Sequence, residues 1–131
     1  MSIQSINDFP IFESSQFQFI STNPVVSELI AATNEAGYQQ RIINTPRDKW
    51  DSNMTFTRVL HNNPRYAPVI SSEAINKYGH EKATNAFRYL CIFIKQVKIR
   101  PIDHVAIMLW FIEQGIVDIE KTIETYKIQL P

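Results

Sequence analysis

The first forty residues contain no Lys or Arg, against four acids: Asp8, Glu13, Glu28 and Glu35. Cysteine is nearly missing too. The single Cys91 excludes an internal disulfide framework, and its place in the apolar run LCIFI predicts a buried, unreactive thiol in a reducing compartment. Only three glycines occur, and none forms a GxGxxG, phosphate-loop or GxSxG pattern, so the sequence signatures of nucleotide cofactors and serine nucleophiles are absent. The longest apolar stretch, VAIMLWFI (Val105 to Ile112), is far short of the roughly 20 residues that cross a bilayer. The opening MSIQSINDFPIF lacks the basic and apolar regions of a secretory signal, and a cytoplasmic location is expected. His61, His80 and His104 form no HxxxH or HxH pair for a metal, and the carboxylates are scattered. No catalytic residue, cofactor or metal is nominated, and the expectation is a protein that does no chemistry.

What is present is ordinary for a globular chain: 131 residues, 44% hydrophobic and 20% charged. That length predicts a single domain over residues 1–131. Abundant Ile, Asn and Lys suggest AT-rich coding, as in some bacteria and their phages. The net charge of zero conceals a sorted distribution. Residues 41–100 carry eleven basic side chains against four acids, and residues 101–131 carry two against five. A strongly basic centre between acidic flanks calls for an anionic partner or for internal pairing.

Helix punctuation is clear in three places. Gly37 closes a helix opened by Asn23 and Pro24; Gly79 closes SSEAINKY, capped by Ser71 or Ser72; Gly115 closes PIDHVAIMLWFIEQ, begun by Pro101. A long helix is expected from about His80 to Lys98, with Ala83, Ala86, Phe87, Leu90, Cys91, Ile94 and Val97 on one apolar stripe. The helix over Ile102 to Gln114 is apolar nearly all round and should be central. A last helix, Ile119 to Lys127, takes Asp118 as its cap. In the first half, FQFIS (17–21), QQRIIN (39–44) and NMTFTRVL (53–60) alternate like strands, while TPRDKWDSN and HNNPRYAP read as exposed loops. The fold class is therefore mainly α: a compact single-domain helical bundle with a small N-terminal β element, with α+β as the alternative.

Two basic groups carry the functional expectation. Residues 71–90, SSEAINKYGHEKATNAFRYL, resemble a helix-turn-helix, whose second helix would present Lys82, Thr84, Asn85 and Arg88 to base edges and phosphates. Asn76 departs from that pattern, standing where a small apolar residue packs the two helices; the alternative is two ordinary helices joined at a glycine. Upstream, Arg41, Arg47, Lys49, Arg58 and Arg65 are interleaved with Trp50, Phe56 and Tyr66, a mixture suited to phosphate contact with base stacking. Here the alternative is core aromatics with a solvated basic rim. The C-terminal acids Asp118, Glu120 and Glu124 either pair with the basic centre or form a solvated face balanced by Lys121 and Lys127. The expectation is nucleic-acid binding through Arg41, Arg47, Lys49, Arg58, Arg65, Lys82, Asn85 and Arg88. The alternative is a protein-interaction module of inhibitor, immunity or assembly-factor type that meets an acidic protein surface; either reading leaves room for a homo-oligomer.

Overall fold

A computed structural model describes residues 24–130 except 82, 85, 86, 89, 90, 92, 93 and 95–98. It is mainly helical. The elements are α1 (Pro24–Glu35), α2 (Tyr38–Asn44), a short 3-10 turn (Arg47–Lys49), α3 (Ser52–Asn62), α4 (Ser72–Tyr78), α5 (Pro101–Glu113) and α6 (Ile119–Tyr126). Between α4 and α5, the described residues from 80 to 94 are all helical. Among them Ala83, Phe87, Cys91 and Ile94 are buried at 3–4 residue spacing, while Glu81 and Arg88 are exposed, so the expected apolar stripe is present as far as the description reaches.

The punctuation is local chemistry, and it holds. Gly37, Gly79 and Gly115 all have positive φ, and at Gly115 the angle is 78°. A residue with a Cβ would be strained in that conformation, so α5 turns off into the next segment without steric cost only because glycine stands there. The Ser71 and Asp118 side chains accept from the backbone N–H groups of Ala74 and Lys121, each closing the first turn of its helix.

α5 is the organising element. Every residue from Val105 to Phe111 is buried, and α1, α2 and α3 all pack on it. One apolar cluster joins Leu29, Phe56, Leu60, Phe87, Ile107 and Phe111. Within it the Phe87 and Phe111 rings meet edge to face, 5.3 Å between centroids at 86°. A second, smaller cluster places Ile42 and Met54 against Val105, Ala106 and Leu109. Nearly all-round burial explains why α5 can be apolar on every side.

Two expected strands are helices. Gln39 to Asn44 lies in α2 and Asn53 to Leu60 in α3. The physical reason is the direction of burial. Gln39 and Ile42 are buried at i, i+3 spacing while Ile43 is 63% exposed, and Met54, Thr57 and Leu60 repeat every third residue toward α5. Asp51, expected within a loop, is the N-cap of α3 and accepts from the Met54 N–H at 2.9 Å. The third expected strand, FQFIS, lies outside the described residues, and so does Asn23. Among the described residues the only β pairing is one antiparallel bridge between Ile70 and Val117. It is braced by Thr122, whose buried hydroxyl accepts from the Val69 N–H at 2.9 Å and donates to the Asp118 carbonyl at 2.7 Å.

Candidate nucleic-acid interface

The basic residues of the centre divide by what they touch. Arg41 on α2 is engaged within the molecule. Its guanidinium donates to Glu113 Oε1 at 2.9 Å and lies 3.4 Å from Asp51 Oδ2, so it ties α2 to the end of α5 and to the cap of α3. The bond to Glu113 holds its pKa above the ordinary arginine value. Tyr38 donates to the same Glu113 oxygen at 3.2 Å; burial first, and the Glu113 charge second, push its phenol upward. Arg100 is likewise engaged, forking onto the buried Asp103 at 2.9 and 3.0 Å. Two C-terminal acids, Asp103 and Glu113, thus pair with the basic centre. Glu120 and Glu124 on α6 are exposed and make no ion pair among the described residues, as a solvated face would.

Three other described cations behave differently. Arg47, Lys49 and Arg65 are exposed and form no ion pair with a described carboxylate. Arg47 sits over the Trp50 ring, 4.5 Å from its centroid, and Arg65 lies 5.9 Å from the centroid of Tyr66. Trp50 itself is half-buried, packs on the smaller apolar cluster and donates its indole N–H to the Thr45 carbonyl at 3.0 Å. Tyr66 stacks obliquely on Tyr126 at 5.2 Å. Both rings therefore support their arginines from beneath. Phe56 is fully buried, so it belongs to the core and not to any stacking surface. Arg58 is half-buried, and its Nε is shielded from solvent without a hydrogen-bond partner, unlike the exposed cations.

In the segment resembling a helix-turn-helix, α4 is followed by Gly79 with φ of 90°, and then by described residues between 80 and 94 that are helical. Asn76 is exposed. Lys82 and Asn85, two of the expected readers, lie outside the described residues. Arg88 is exposed, but Thr84 and Arg88 line a groove closed on other sides by residues 67–70 and α6. Lys121, expected only as local balance on an acidic helix, lines the same groove.

Sequence reasoning missed one pair altogether. His61 at the end of α3 and His104 in the first turn of α5 bring their Nδ1 atoms within 2.7 Å, with ring centroids 5.0 Å apart at 61°. One imidazole must donate there and the other accept, so the contact needs at least one neutral ring with its proton on Nε2. Burial, and then the neighbouring Arg58 charge, lower the His61 pKa. Forty-three residues separate the two histidines, and no local spacing announces them. Among the described residues no group of three or more His, Cys, Asp or Glu converges as a metal site would require, and no helix is long and apolar enough to cross a membrane. Compared with known proteins, this chain matches no family model, no curated protein and no solved structure.

Proposed function

We propose that this chain is a non-enzymatic protein that binds nucleic acid, single strands in particular, through the exposed cations of the segment from Arg47 to Arg65. One observation carries the reading: Arg47, Lys49 and Arg65 are exposed without carboxylate partners among the described residues, and both arginines rest on aromatic rings. A guanidinium stacked on a ring keeps its donors free at the edge for a phosphate, and its open plane can receive an unpaired base. Duplex recognition by Arg88 finds less support, because the wall that carries it faces a groove of the protein itself.

The test is salt-dependent binding of a labelled oligonucleotide, read by fluorescence anisotropy. Three phosphate contacts on a single strand give a log–log slope of about −2, each contributing about −0.7. Replacing Arg47 and Lys49 by Ala should flatten that slope and weaken all sequences alike, since phosphate contacts carry no sequence information. No binding to single strands or duplex at low salt would overturn the proposal. An acidic protein surface is the alternative partner, and Ile43, an exposed apolar side chain on α2, favours it by offering a contact that nucleic acid does not need.

A further inference from the structure

We propose that the groove between residues 67–70, α4, the described helical residues His80, Thr84, Phe87, Arg88 and Cys91, and α6 is a binding site for a small amphipathic anion, an apolar body bearing one acid group. The cavity measures about 430 Å³, within the range of about 300–1,000 Å³ usual for small-ligand sites. Its floor includes Ile70, Phe87 and Cys91, all buried and apolar. Arg88 and Lys121 reach it from two different elements; both are exposed and neither makes an ion pair among the described residues. No carboxylate is among the described lining residues.

The ligand class follows from that combination. Two permanent cations beside low-dielectric walls, with no acid among the described lining residues, attract an anion and repel a cation. The apolar floor selects against a wholly polar anion, which would cover it without replacing the water it excludes. Walls contributed by four segments and a volume of about 430 Å³ suit a small molecule. This site is separate from the proposed nucleic-acid contacts, since it uses none of Arg47, Lys49 or Arg65.

The experiment titrates the full chain with anilinonaphthalene sulfonate, followed by fluorescence, and displaces the probe with decanoate below its micellar range. Saturable one-to-one binding is expected, displaced by decanoate and far less by decanol. Arg88→Ala and Lys121→Ala should each weaken decanoate by about five- to tenfold, as loss of one charge-assisted contact would. Arg88→Lys should retain most of the affinity, which separates loss of charge from loss of fold. Arg47→Ala with Lys49→Ala should leave it unchanged. Cys91 is buried and slow to react, but it lines the groove and is the only thiol, so its slow modification reports occupancy. Decanoate should slow its alkylation by N-ethylmaleimide over the same concentration range. The proposal is overturned by an absence of saturable binding, by equal displacement with decanol, by indifference to both alanine substitutions, or by an unprotected Cys91.

Discussion

Replacing Gln39 by Met should leave stability unchanged or raise it by about 1 kcal/mol, although it removes two hydrogen bonds. Gln39 is only 4% exposed. Its Nε2 donates to Thr33 Oγ1 at 2.8 Å and to the Ile30 carbonyl at 3.3 Å, while its Oε1 is buried without a partner among the described residues. Each bond contributes a net of about 0.5–1.5 kcal/mol, the longer one at the low end, whereas an orphaned buried acceptor costs about 1–3 kcal/mol. The groups left behind are not stranded, because Thr33 Oγ1 still donates to the Ile30 carbonyl at 3.1 Å. Methionine matches glutamine in length and flexibility, so little cavity opens. Relief of the orphan therefore meets or exceeds the loss. Gln39→Ala should cost about 2–3 kcal/mol by contrast, since it adds a void to the lost bonds. Urea unfolding at neutral pH reads both as shifts in midpoint at constant slope. A cost above about 2 kcal/mol for Gln39→Met would refute the reasoning, and would mean that the amide oxygen belongs to a satisfied network.

Acid should weaken the fold through His61. Its pKa in the fold is depressed from the ordinary value of about 6.5 by burial and then by Arg58, so the unfolded chain takes up a proton first as pH falls. The contribution is complete above about pH 6.5 and is lost as pH drops through the folded value. His61→Phe should flatten the dependence of the urea midpoint on pH between about 7 and 5; an equally steep fall in that variant would remove His61 as the cause. Gly115→Ala should cost about 1 kcal/mol, because φ of 78° strains any residue with a Cβ. An unchanged melting midpoint would show that the turn relaxes. Arg41→Met and Glu113→Gln should show a coupling of at most about 1 kcal/mol in a double-mutant cycle, smaller at high salt, since both side chains are partly exposed. Coupling that survives high salt undiminished would contradict a screened surface pair.

Where the chain announces its own boundaries, the sequence was sufficient. Capping by Ser71 and Asp118, proline at the start of α5 and positive φ at the three glycines are settled within a few residues, so local chemistry decides them. The all-round apolar run 105–111 was equally legible as a central helix. The failures share a cause. In Gln39–Asn44 and Asn53–Leu60 the β-branched and aromatic residues alternate well enough to suggest strands, yet packing against α5, more than forty residues away, selects the helical face. Long-range contact also hid the histidine pair and the groove, each assembled from segments remote in sequence.

The charge sorting was visible in the sequence, but its meaning depends on the ends of α5. Asp103 lies in the first turn, near the positive end of the helix dipole, and is buried under Arg100. Glu113 is the last residue of the same helix, where the dipole disfavours an acid. Arg41, reaching across from α2, offsets that penalty, and it shares Glu113 with the Tyr38 hydroxyl. Arg41 and Arg100 are thus explained by the fold without an external partner. The surplus that a partner could use shrinks accordingly; among the described residues it includes Arg47, Lys49 and Arg65, held in solvent, and Arg88 and Lys121, which line one groove. A count of positive residues overstates the binding surface. Among the described residues, setting aside Arg41 and Arg100 leaves Arg47, Lys49 and Arg65 in one place and Arg88 with Lys121 in another, and each group has its own proposal and its own test.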